Sequence, residues 1–165
     1  MLVWSLGFLG AFGGEVGMQL STPPRVKVLE AVGAVAGARV KVLSDAEAEV
    51  RASEGDRTYR VFLDMSRGLA DSDDNGTRFR NYIGYPILAF MMVKGILPYD
   101  EELGRALKDV KWRSVNELFK NYRLVERYIK EELKRVGVQS SRVDSYIAEV
   151  MGALSGIALQ KPVQT

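Results

Sequence analysis

The chain has 165 residues, 23 of them Lys or Arg and 21 Asp or Glu, for a net charge of +2 with 47% hydrophobic residues. That is enough chain for one domain or two small ones with a real core, and too apolar and evenly charged for a disordered polymer. There is no Cys and no His, which excludes disulfides, thiol nucleophiles, imidazole acid–base catalysis and zinc sites built from thiolate or imidazole. No cofactor is expected, and the absence of Cys fits a reducing compartment, with cytoplasm the default.

Residues 1–20 are apolar and glycine-rich, with Glu15 breaking the run and no basic residue before Arg25. The uncharged stretch of 14 residues is shorter than the roughly 20 needed to cross a bilayer, and the basic start of a secretory signal is missing. It reads as a flexible leader, as sequence upstream of a true start at Met18, or as an arm docked on the body; a membrane or targeting role is less favoured.

Past Pro23-Pro24, Val28, Leu29, Val32, Val35 and Ala36 recur at helical spacing and Gly37 marks the stop. Residues 39–43 alternate as a strand. Residues 46–53 follow with Ala46, Ala48, Val50 and Ala52 on one face, and Glu54-Gly55-Asp56 makes a hairpin loop. Residues 57–64 return with Tyr59, Val61 and Leu63 facing one way, so an antiparallel meander of three strands is expected, or four with residues 68–70. Pro86 to Ile96 is apolar nearly all round and reads as a buried helix that Pro98 ends. Acids at 100–102 open a short helix to about Val110. Ser114 and Glu117 form a capping box for a long helix to Val136, stopped by Gly137, and a last helix starts near Ser141. Lys161 to Thr165 read as a frayed tail. The expected fold is α+β: an N-terminal helix, the meander, then four helices packed on one side of the sheet, with residues 21–98 as one unit and 99–165 as a helical extension on it.

Two clusters could carry chemistry. The turn Asp71-Ser72-Asp73-Asp74-Asn75-Gly76 begins like a calcium loop, with Asp71, Asp73 and Asn75 as weak Ca²⁺ or Mg²⁺ candidates, but Tyr82 stands where the bidentate Glu belongs. A solvated Asx turn fits the same residues better, and acid–base catalysis there lacks a nucleophile beside it. The stronger signal is cationic. Between Arg105 and Arg135 ten basic residues face five acidic ones, against thirteen and sixteen in the remainder of the chain. On a single helix, Arg113, Lys120, Arg123, Arg127, Lys130 and Lys134 share a face opposite the apolar stripe, interrupted by Glu131. Trp112 and Tyr128 are placed to stack on bases, while Tyr122 belongs to the core side. A nucleic-acid backbone is the partner such a stripe would follow; the plainer alternative is a solvated outer face.

In the last helix, Ala148, Gly152, Ala153, Ser155 and Gly156 would allow close helix approach, within the chain or between copies, so protein or self association through residues 141–159 is the second expectation.

Residues 57–93 resemble a SWIM-type zinc finger: Tyr59-Arg60-Val61-Phe62-Leu63-Asp64 matches the family's strand, Asp73-Asp74 the residues after its turn, and Ile87-Leu88-Ala89 its helix start. Ala70, Ser72, Gly84 and Pro86 occupy the four ligand positions, so zinc could not bind as in that family, and Leu63, Leu69, Ile83 and Leu88 would replace the metal as the stabilising element. The resemblance implies a DNA-binding or protein-interaction module rather than an enzyme. Few Asn and Gln, many Arg and Glu and no Cys also make the chain similar to small archaeal, thermophilic proteins.

Overall fold

A computed structural model describes residues 17–163, so most of the expected leader and the last two residues lie outside the described residues. The described elements are α1 (Arg25–Ala36), β1 (Val40–Val42), β2 (Glu47–Arg51), β3 (Thr58–Asp64), β4 (Leu69–Ser72), α2 (Asn75–Arg80), α3 (Tyr85–Val93), α4 (Glu101–Leu107), α5 (Trp112–Phe119), α6 (Tyr122–Arg135) and α7 (Ser140–Ser155). The class is α+β, and the fourth strand is present.

The strands pair antiparallel in the order β1-β2-β3-β4. Ala48 faces Val61, Val50 faces Tyr59 and Leu63 faces Ala70, a row that turns to the core. Glu49 opposite Arg60 lies on the other, more exposed face, so alternation along each strand separates dry and wet sides.

Helix α3 packs against all four strands, α1 against α3, and α4, α6 and α7 against α1. Being central explains why α1 and α3 are buried on every side: Val28 to Ala34 in α1 and Pro86 to Met92 in α3 are all buried. One apolar cluster runs from Leu20 to Leu159, so the two units expected at 21–98 and 99–165 share a core. The first and last described segments pair with each other: the Leu20 amide donates to the Leu159 carbonyl at 2.9 Å and the Lys161 amide to the Met18 carbonyl at 2.8 Å.

Two expectations need correction. Six helices follow the sheet rather than four, because α2 forms in the acidic turn and the long Ser114 helix is two helices. Asp74 opens α2 by accepting from the Thr77 amide. The break in the long helix is set by Lys120, in the left-handed region at φ 53°, and by Asn121, whose side chain accepts from the Leu124 amide and restarts the chain as α6. Asn offers the backbone a local partner that a continuing helix would refuse. The Ser114–Glu117 capping box does not form either. Helix α5 starts two residues earlier, and the Ser114 amide and hydroxyl both donate to Glu54 of the β2–β3 loop at 3.1 Å. The Trp112 amide donates to Ser53 Oγ at 2.8 Å in the same loop. A carboxylate from the hairpin thus satisfies the free amides at the helix start and sits at the positive end of its dipole.

Candidate functional site

A cleft of about 400 Å³ opens between α1, the β2–β3 hairpin, α2 and the α5–α6 corner, within the size range of small-ligand sites. Its floor is the pair Lys27 and Glu30, one turn apart on α1. Glu30 is 4% exposed. Lys27 Nζ donates to Glu30 Oε1 at 2.6 Å, and Asn116 Nδ2 of α5 donates to the same oxygen at 3.4 Å. The buried Oδ1 of Asn116 accepts no hydrogen bond among the described residues.

The walls are aromatic. Tyr59 and Tyr85 meet edge to face with centroids 6.1 Å apart. Tyr82 and Tyr122 share a hydroxyl–hydroxyl hydrogen bond of 3.1 Å, and Lys27 Nζ lies 5.0 Å from the centre of the Tyr122 ring. Gly76 is required behind Tyr82, since a Cβ there would come within 2.3 Å of the ring. At the rim stand Arg57, Arg80 and Arg113, with Arg57 5.5 Å over the Tyr59 ring.

Burial alone would lower the Lys27 ammonium's pKa, but the charge and hydrogen bond of Glu30 outweigh it and leave it raised. Lys27 is therefore a fixed cation at neutral pH rather than a nucleophile or a base. Burial raises the hydroxyl pKa of Tyr59, Tyr82 and Tyr85, with Glu30 adding to it, so these phenols stay protonated donors. The arrangement offers stacking faces and fixed hydrogen-bonding groups.

With this geometry in place, the comparisons bear on kinship. A family model described as uncharacterised conserved protein UCP014422 matches residues 20–160. The chain belongs to this family. No curated protein and no solved structure matches it. The span shared with the UCP014422 family contains the whole described core and every residue of the cleft.

In this family member the expected basic stripe does not exist as one face, because the break at Lys120 gives α5 and α6 separate axes. Three of its six residues are engaged by the molecule's own acids: Arg113 pairs with Asp56, Lys130 with Glu126 at 2.9 Å and with Asp144, and Lys134 with Glu131 at 3.3 Å. Arg25 joins the Lys130 group through Glu126 and Asp144, tying α1 to α6 and α7. Lys120, Arg123 and Arg127 are exposed and pair with no acid among the described residues. Trp112 is 3% exposed and packed against Gly33 of α1, so it is no open stacking surface. Tyr128 is partly exposed but leans on Phe119, ring centres 5.2 Å apart.

The acidic turn is occupied with its own backbone. Asp71 accepts from the Ser72 amide, Asp73 from the Arg60 amide, and Asp74 from the Thr77 amide and hydroxyl. No group of three or more Asp or Glu among the described residues, Asp71 and Asp73 included, could hold a metal ion, and Asn75 is the first residue of α2. Ala70 and Ser72 lie in β4, and Gly84 precedes Pro86 at the start of α3; a Cβ at Gly84 would fall 2.2 Å from Asp74 Oδ2. In α7, Val143, Tyr146, Ile147, Val150 and Leu154 face the core, while Gly152 is exposed and makes no close helix contact among the described residues. No described helix is long and apolar enough to cross a membrane.

The cleft itself was not legible as a site from the sequence. One signal pointed to it: between Arg25 and Arg39 the only charged residues are Lys27 and Glu30, set three apart in an otherwise apolar helix.

Proposed function

We propose that the protein is a non-enzymatic binding protein for single-stranded nucleic acid, seating one unpaired base in the aromatic cleft and laying the flanking backbone along Lys120, Arg123 and Arg127. One observation carries the reading: Tyr122 is both a wall of the cleft and the first residue of the helix that bears Arg123 and Arg127, so stacking surface and cations that pair with no acid among the described residues are contiguous. Base faces stack on aromatic rings whatever the sequence, and free cations follow the phosphates. A duplex keeps its base faces inside the stack, which favours a single strand. Arg57 and Arg80, which also line the cleft, add positive charge at its rim. The resemblance of residues 57–93 to a SWIM-type module supports a binding role, and the Cys-free composition supports a cytoplasmic setting.

The test is fluorescence anisotropy with a short labelled single strand over a range of salt. The wild type is expected to bind the single strand in preference to its duplex. Replacing Lys120, Arg123 and Arg127 together with Gln should reduce the slope of log K against log salt by about 2, at roughly 0.7 per lost phosphate contact. An unchanged slope in a folded triple variant rejects the reading.

A further inference from the structure

We infer that the cleft is a guanine-selective base site in which Lys27 and Glu30 are the specificity-determining residues; the inference rests on the nucleic-acid reading above. The buried pair presents an ordered row of hydrogen-bonding atoms. Lys27 Nζ is a donor with three hydrogens, only one of them taken by Glu30 Oε1 at 2.6 Å. Oε1 comes next, accepting from Lys27 and, at a longer 3.4 Å, from Asn116, a weak contact that an incoming donor would displace. Oε2 follows; it meets no donor among the described residues and belongs to a buried residue that lines the cleft. The row therefore reads donor, acceptor, acceptor.

Guanine's Watson–Crick edge, read from O6 through N1–H to the N2 amine, is acceptor, donor, donor, the complement of that row. Adenine and cytosine offer one amine beside one ring lone pair and leave the second carboxylate oxygen without a donor. Uracil offers one N–H between two carbonyl oxygens and turns the second of them against Oε2. A buried acceptor left unmatched is what makes such a site reject the wrong ligand. Tyr59, Tyr85 and Tyr122 supply ring surface beside that edge.

The experiment uses the full chain with a heptacytidylate whose central base is replaced in turn by G, A or U, read by anisotropy, and the four 5′-mononucleotides, read by tryptophan fluorescence, since Trp112 lines the cleft. The central-guanine strand is expected to bind about tenfold tighter than the others, as for one good bidentate base contact. Glu30→Gln keeps the carbonyl at the Oε1 position, where Lys27 and Asn116 both donate, and turns Oε2 into a donor. The row becomes donor, acceptor, donor, so the preference should move from guanine to uracil. Equal affinity for all four strands overturns the guanine site and leaves the nucleic-acid reading standing. Binding of 5′-GMP with every strand rejected keeps the guanine site and overturns the nucleic-acid reading. Failure of strands and mononucleotides alike overturns both. A guanine preference that persists in folded Glu30→Gln removes Glu30 from its role; if that variant does not fold, the wild-type comparison alone decides.

Discussion

Two hollows among the described residues have nearly the same size and opposite chemistry. The cleft, about 400 Å³, is floored by an ion pair and walled by tyrosines. The groove between the α4–α5 turn and α6, about 440 Å³, is floored by Leu107, Ile129 and Leu133, with Tyr128 and Val136 at its edge. The groove is a seam where three helices meet, and its apolar lining is continuous with the core behind it. The cleft holds charged and hydrogen-bonding groups in near-complete burial, which carries a desolvation cost that a purely structural seam avoids. Volume does not separate the two; the cost of their linings does.

The comparison can be broken by asking which hollow supports the fold and which supports binding. The largest effect is expected for Glu30→Ala, which leaves the Lys27 ammonium buried without its acid and should cost about 3–5 kcal/mol in urea unfolding. Changing both together, Lys27→Met with Glu30→Leu, should restore stability to about the wild-type value or above it while abolishing strand binding. A double variant that binds normally would return the cleft to the status of packing. In the groove, Leu133→Ala removes a buried side chain and should cost about 2–5 kcal/mol of stability, with strand affinity unchanged once the protein is folded. Tyr122→Ala should do the reverse: 37% exposed, it should cost little stability but about 1–3 kcal/mol of strand affinity by the same anisotropy titration.

The smallest effect concerns the hairpin that frames the cleft. Burial alone would raise the Glu54 carboxyl's pKa, but its hydrogen bonds to Ser53 and Ser114 outweigh that and leave it below the usual carboxylate range. Its contribution is then fully present above the unfolded-state pKa, near 4.5, and is lost as pH falls through the lower folded value. Glu54→Gln should cost about 0.3–1 kcal/mol at neutral pH through loss of the charge at the α5 N-terminus. Its melting temperature should then fall less than the wild type's between pH 5 and about pH 3; parallel curves for the two proteins would argue that the carboxylate does not act as the cap.

The strands were legible because alternation is a local property: Ala48, Val50, Val61 and Leu63 face the core as their spacing requires. So was α3, where an unbroken apolar run admits no exposed side. The helix break was legible in principle, since Asn121 is a good cap, but the periodic stripe across it outweighed one residue. The capping box failed because Glu54, sixty residues before Ser114, reaches the α5 amides first. Sequence spacing carries no information about such a competitor.

What the sequence determined by itself was the class of fold, the strand faces, the exclusion of thiol and imidazole chemistry, and an excess of cations in the second half of the chain. Which of those cations are free was decided only in three dimensions, where Glu126 and Asp144 take up Lys130 while Arg123 and Arg127 meet no acid among the described residues. The cleft was decided there too. Lys27 and Glu30 would be an ordinary solvated pair on an isolated helix; they become the floor of a site because α3 and α4 cover α1 while α2, the hairpin and the α5–α6 corner bring tyrosines around its remaining side. Periodicity is written into neighbouring residues, whereas desolvation of a charge depends on every segment that comes to lie against it.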